Sequence, residues 1–208
     1  MMNEIAAAPH RGSQFGNPRG LAGRLVGRLM ARKNHYMNRL AVEQLAAPPD
    51  HRILEIGYGP GAAVELLARR VTDGLVAGID VSPTMHAQAS RRNRRSIDAG
   101  RVELRVGSAD SLPFADASFD QVFEINCFHH WPDQAAALAE IRRVLRPAGL
   151  LLLCLRMKHD TRTRLVAPGH TPASVDRAEE LLGQAGFAPV TREVFELERR
   201  VTCVRGRR

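Results

Sequence analysis

The sequence predicts an α/β fold in which a mostly parallel sheet carries helices on both faces, and three observations lead there. Between residues 53 and 155, short runs of branched apolar residues alternate with amphipathic segments. Strands alternating with helices bury their apolar faces by laying the helices over a parallel sheet. The run Leu150-Leu151-Leu152-Leu153 shows no polar alternation, as suits a strand buried on both faces. Finally, the candidate strands 188–195 and 199–204 are joined by so short a link that they pair antiparallel.

The elements follow in order. Residues 1–17 are rich in Gly, Pro, Asn and Arg, which predicts a disordered tail. From Leu21 to Leu45, apolar residues recur at helical spacing (Leu21, Leu25, Leu29, Met37, Leu40, Leu45). One broken helix or two short ones fit this segment, and Pro48-Pro49-Asp50 ends it. Strands are expected at 53–56, 75–80, 102–106, 119–125 and 150–155, with helices between them at 61–71, 83–97 and 133–145. A loop over 156–171, a helix over 173–184 and the turn Ala185-Gly186-Phe187 precede the final pair of strands.

Composition narrows the function classes. A chain of 208 residues can bury a real core as one domain. No apolar run approaches the ~20 residues of a membrane span, and Met1 to Gly20 lacks the apolar core of an export signal, so a cytoplasmic protein is expected. Cys127, Cys154 and Cys203 form no closely spaced pair, which reads as free thiols in a reducing compartment and no metal site. The net charge of +8 raises nucleic acid as a partner. Yet the basic residues are scattered, and the densest cluster, Arg91-Arg92-Asn93-Arg94-Arg95, falls at an expected helix end with no aromatic residue nearby. A solvated face, with cations favoured by the helix dipole, is the better reading, so nucleic acid is not expected as a partner.

The chemistry concentrates in Ile53-Leu54-Glu55-Ile56-Gly57-Tyr58-Gly59-Pro60-Gly61. A strand, a glycine loop and a helix in succession let the backbone approach a ligand closely and aim free N–H groups at it. Gly57, Gly59 and Ala62 loosely fit a dinucleotide fingerprint, with Asp80 as the ribose-binding acid. Against a dehydrogenase stand Glu55 ahead of the loop, a second acid, Asp110, after the third strand, and little chain left for a substrate domain.

Taken together, Leu54 to Gly61, Gly78-Ile79-Asp80-Val81-Ser82, Asp110 to Phe114, Phe119-Asp120-Gln121-Val122, Arg143 to Gly149 and Gln184-Ala185-Gly186-Phe187 resemble the motifs of the class I S-adenosylmethionine-dependent methyltransferases. The likeness is greatest to their small bacterial, small-molecule branch and runs over about residues 40 to 204. It implies a Rossmann-like seven-stranded sheet of order 3-2-1-4-5-7-6 with an antiparallel C-terminal hairpin. It also implies a helical lid over 18–47 and a cofactor-binding domain over 48–208. Gly57 and Gly59 would pack against methionine and ribose, and Asp80 would accept both ribose hydroxyls. Val81 and Met85 would flank the adenine, whose edge Asp110 and Ala109 would read. Glu55 would serve the cofactor's amine, Tyr58 would shape the pocket, and Asn126 lies where ligands sit beyond the strand ends. Ala148 departs from the family's usual Pro-Gly-Gly turn, a change expected to touch the turn rather than the site.

Methyl transfer from a sulfonium needs orientation first, and a base only for some acceptors. The candidates are His129 and His130 in Phe128-His129-His130-Trp131-Pro132; either one removes an acceptor's proton or merely forms the pocket wall. His159, His170 and Tyr36 are weaker substrate-facing candidates, and a surface position suits His35 and Tyr36 equally well. The expected function is methylation of a small molecule, leaving S-adenosylhomocysteine. RNA methylation and a non-enzymatic cofactor-binding protein are the alternatives.

Overall fold

A computed structural model describes residues 34–158 and 169–208; the expected tail, the first part of the lid and His159 lie outside them. The strands are β1 (Arg52–Ile56), β2 (Leu75–Asp80), β3 (Val102–Val106), β4 (Phe119–Ile125), β5 (Leu145–Arg156), β6 (Val190–Glu196) and β7 (Arg200–Arg207). The helices are α1 (His35–Leu45), α2 (Ala62–Leu67), α3 (Pro83–Arg92), α4 (Arg94–Asp98), α5 (Gln134–Val144) and α6 (Pro172–Gln184). One sheet of seven strands runs in the order β3-β2-β1-β4-β5-β7-β6. The first five strands pair in parallel, and β7 is antiparallel to both β5 and β6. This is the expected Rossmann-like order.

Strand alternation divides the core between the two faces. Leu54, Ile56, Val122, Leu151 and Leu153 pack with Leu138 and Ile141 of α5 and Val175 and Leu182 of α6. Ile53, Phe123, Leu152 and Cys154 pack with Met37 and Leu40 of α1 and Val64 and Leu67 of α2. From β1 the chain winds outward through β2 to β3 and then returns to β4 on the other side of β1, and this switch of order leaves a crevice beyond the carboxyl ends of β1 and β4.

Three local differences have physical causes. β5 starts at Leu145, earlier than expected, because Leu145 pairs with Phe119 ahead of a register shift. The expected helix over 83–97 is two helices. Buried Asn93 breaks it and ties the break to the glycine loop, its Nδ2 donating to the carbonyls of Gly61 (3.1 Å) and Ala89 (3.0 Å). The arginine cluster therefore does not simply close a helix. Arg91 and Arg92 lie in the last turn of α3, whereas Arg94 and Arg95 belong to the five-residue α4. Arg92 pairs with Glu65 (3.0 Å) and Arg94 with Asp98 (3.6 Å).

Candidate active site

Asp80 ends β2 and joins two loops. Its Oδ2 accepts from the Gly59 N–H and its Oδ1 from the Ser82 N–H, each at 2.8 Å. Helix capping falls to Ser82, whose hydroxyl accepts from the Met85 N–H at 3.4 Å. Burial raises the Asp80 pKa, with the two amides opposing it. Each carboxylate oxygen thus keeps a lone pair for a further donor.

The loop's glycines are required by geometry. Gly57 has φ of 72° and Gly59 of 50°, the left-handed region that side chains resist. A Cβ at Gly57 would stand 2.7 Å from the Cys127 sulfur, while one at Gly59 would meet nothing within 4 Å. Gly59 therefore borders open space rather than a packed neighbour. Tyr58 turns inward instead, its ring against Gly78 and its hydroxyl bonded to His86 Nδ1 (3.0 Å) and the Arg105 carbonyl (3.1 Å). Beyond the strand ends, Val81 and its near neighbour Val106 are 46% and 48% exposed, an unusual display of apolar surface. Met85 lies beneath, 2% exposed. Ala109 is buried and Asp110 partly so, on the loop after β3.

Two buried carboxylates stand on neighbouring strands. Glu55 of β1 is 3% exposed, and its Oε2 has no hydrogen-bond partner. Burial and the negative charges of Asp80 and Glu124 push its pKa up to about 8, with the Val64 amide opposing. Glu124 of β4 is fully buried, and burial raises its pKa to about 7. Its Oε2 accepts from the N–H groups of Cys127 (2.6 Å) and Phe128 (3.0 Å), while its Oε1 is unpartnered. Glu124 thereby fixes the turn that presents His129 and His130. It was no candidate in the sequence, although an acid inside the apolar run of β4 is itself a signal in a strand covered on both faces.

The histidines assemble beyond β4 and β5. His129 and His130 lie in a single 3-10 turn, Phe128–His130, with ring centroids 3.9 Å apart. His129 Nδ1 meets His170 Nε2 at 3.2 Å, and His170 Nδ1 meets the Ser174 hydroxyl at 3.3 Å. Burial lowers the pKa of His129, aided by His130, His170 and Arg156; burial likewise lowers those of His130 and His170. His129 and His130 remain open to solvent, which moderates the effect, whereas His170 is 5% exposed. Asn126, at φ of 55°, stitches β4 to β5 by accepting from the Arg156 N–H at 3.3 Å. Tyr36 belongs to α1. Its hydroxyl is buried without a partner, within electrostatic reach of Arg156. His35 is exposed.

Cys127, Cys154 and Cys203 are free thiols. Among the described residues, no group of three or more His, Cys, Asp or Glu side chains is arranged to hold a metal. No helix among them is long and apolar enough to cross a membrane.

A doubly wound sheet with a glycine loop after β1 and an acid closing β2 defines a nucleotide-cofactor enzyme. The comparisons refine the class. A methyltransferase domain matches residues 54–153. The uncharacterized methyltransferase YdaC of Bacillus subtilis (strain 168) is 33% identical over 125 residues, 60% of this chain and 67% of that protein. The O-methyltransferase resE of Aspergillus sclerotiorum is 33% identical over 161 residues, 73% of this chain but only 60% of its own length. Among solved structures, a SAM-dependent methyltransferase from Aquifex aeolicus superposes with a TM-score of 0.68 at 21% identity, covering 82% of this chain and 88% of that one. The chain belongs to the class I S-adenosylmethionine-dependent methyltransferases. The site fits that cofactor: the orphaned Glu55 oxygen suits a cationic amine, the open flank of Gly59 admits a ligand, and Val81 with Val106 offers a surface for a flat ring.

Proposed function

We propose that the chain methylates a small-molecule acceptor in the cytoplasm, with residues 48–208 forming the cofactor-binding domain and 18–47 its helical lid. The unpartnered Glu55 Oε2, buried beside Asp80 at the open end of the glycine loop, carries this reading. An acid left without a partner there is a counter-charge awaiting a cation. S-adenosylmethionine supplies a methyl group on a sulfonium sulfur, which is displaced by the acceptor's lone pair. Asp80 would hold the ribose hydroxyls, Gly57 and Gly59 the methionine and ribose backbone, and Glu55 the amine. Val81 and Val106 would cover the adenine ring, with Met85 and Tyr58 supporting from below and Ala109 and Asp110 at its edge. Asn126 and the histidines then face the acceptor, with His129 as base.

Small molecules are favoured over RNA because, among the described residues, many exposed arginines pair with acids, as in Arg69–Glu65 (2.8 Å) and Arg177–Glu180 (3.1 Å). The similarity to resE, an O-methyltransferase by name, agrees. Titration calorimetry with S-adenosylhomocysteine tests the reading. Binding is expected, and Asp80→Ala should weaken it about 10- to 100-fold, the loss of charge-assisted hydrogen bonds of about 1.5–3 kcal/mol. Undiminished affinity would remove Asp80 from the site. Methylated, salt-sensitive RNA as the product would overturn the small-molecule acceptor.

A further inference from the structure

We propose that Ser174 and His170 dictate the tautomer of His129, leaving its Nε2 as a bare base for a phenolic or enolic hydroxyl. The order of protons follows from hydrogen-bond geometry and the burial of His170; only the choice of acceptor rests on the methyltransferase reading.

The chain of protons starts at a backbone carbonyl. The Ser174 hydroxyl donates to the Thr171 carbonyl at 2.8 Å and accepts from the Thr171 N–H at 2.9 Å. Thr171 in turn caps α6 through its own hydroxyl, which accepts from the Ser174 N–H at 3.2 Å, so the arrangement is rigid. A hydroxyl has one proton, and that proton is committed. Toward His170 Nδ1, Ser174 can therefore only accept, and His170 Nδ1 carries hydrogen. His170 is buried, with Arg156 and His130 close enough to disfavour a second positive charge, so the ring is neutral. Its Nε2 is then a bare acceptor, and His129 Nδ1, 3.2 Å away, must be the donor. The one lone pair left over is on His129 Nε2. Free imidazole prefers hydrogen on Nε2; this chain imposes the opposite tautomer.

The groups around that nitrogen select the acceptor. His130 comes from the same turn, Arg156 from β5, His170 and Ser174 from the start of α6, and Tyr36 from α1. The cationic Arg156 favours an oxygen that gains negative charge and repels the ammonium of an amine. Any imidazole is a weak base beside an aliphatic alkoxide, so the proton it takes must come from an acidic hydroxyl. A phenol or enol qualifies, with a pKa near ~10 or below, and an aliphatic alcohol does not. In the step itself, the acceptor O–H bond breaks and a new N–H bond forms at His129 Nε2. The electron pair stays on oxygen, which becomes the nucleophile. His129 becomes cationic while His170 Nε2 still accepts from its Nδ1–H.

Nitrogen-15 spectroscopy of the imidazoles in the full chain tests the proton order without turnover. At pH 7 both His129 and His170 should be neutral with hydrogen on Nδ1. His170→Phe should return His129 to the Nε2–H form, whereas His170→Gln, whose amide oxygen can accept, should keep it. An Nε2–H or cationic His129 in the parent chain at pH 7 overturns the proposal. In parallel, labelled S-adenosylmethionine is offered with panels of phenols, enols and primary amines. Methylated phenol or enol is expected, and His170→Phe should lower kcat at least tenfold with KM and S-adenosylhomocysteine affinity unchanged. Amine products alone, or no product while S-adenosylhomocysteine binds, overturn the acceptor class. Absence of S-adenosylhomocysteine binding sinks the methyltransferase reading instead, and leaves the tautomer result standing.

Discussion

The two edges of the sheet treat buried charge in opposite ways. At the amino edge, Asp120 accepts from the Arg52 N–H (2.8 Å) and pairs with Arg146 (2.5 Å). Partial burial pulls its pKa up, but these partners win and hold it below the usual carboxylate range. At the carboxyl edge, burial pushes both Glu55 and Glu124 up, the charges of Asp80 and Glu124 add to the rise of Glu55, and each keeps an oxygen with no partner. The amino edge has orphans too, Gln121 Oε1 and His51 Nδ1, but one is an uncharged amide and the other a ring nitrogen beside a cleft of about 680 Å³. A charge that the fold satisfies is structural; one that the fold leaves incomplete is waiting for a ligand.

The sharpest way to break this contrast is Glu55→Gln. Without the cofactor, Glu55 is mostly protonated at neutral pH, its pKa raised to about 8. A cationic amine beside it selects the carboxylate. Affinity for S-adenosylhomocysteine should therefore rise between about pH 6 and pH 8, with proton release on binding at pH 7, read by calorimetry in buffers of different ionisation enthalpy. Glu55→Gln should abolish the proton release and weaken binding about 10- to 100-fold, the loss of about 1.5–3 kcal/mol of a charge-assisted bond. A flat pH profile in the parent chain would show that Glu55 does not face the ligand. The sign reverses for stability without ligand. A carboxyl whose folded pKa is raised binds more protons folded than unfolded, so between about pH 4.5 and pH 8 these two acids make stability fall as pH rises.

Asp120→Asn probes the other edge. Its folded pKa is lowered, so its contribution is present above the unfolded value of 3.8 and lost on acidification. At pH 7 the substitution should destabilise the chain by about 1 kcal/mol, since Arg146 is 44% exposed and water screens the pair. Chemical denaturation reads this directly. Cofactor affinity should not move, and a large loss of it would mean that the edges are coupled through β1 and β4.

Sequence reached one edge far better than the other features of the site. The bounds of β2, β3 and β4 were legible because short strand-like runs with sharp ends have few alternatives; Asp80 closes β2, and Glu55, Gly57 and Gly59 lie at the end of β1 and in the loop after it. What stayed hidden was long-range. His129 and His170 lie 41 positions apart, and no spacing rule places them in one hydrogen-bonded chain. The break at Asn93 depends on the Gly61 carbonyl, 32 positions away. Glu124 was readable only as an anomaly, an acid in an apolar strand, and its task of bracing the histidine turn needs the fold.

The smallest effect comes from Ala148, where the family's turn has glycine. Its φ is 62°, and its N–H donates to the Arg208 carbonyl at 3.1 Å, so the turn is held in a conformation that an L-residue resists. The left-handed region costs such a residue about 1–2 kcal/mol. Glycine removes that strain but adds about 0.5–1 kcal/mol of unfolded-chain entropy. Ala148→Gly should therefore stabilise the protein by about 0.5 kcal/mol, raising the melting temperature by roughly 1–2 °C. Because the turn borders the amino-edge cleft, affinity for S-adenosylhomocysteine should stay the same. If affinity changed while stability did not, strain at the amino edge would be transmitted along β5 to Arg156, and the edges would not be the independent regions that their charges describe.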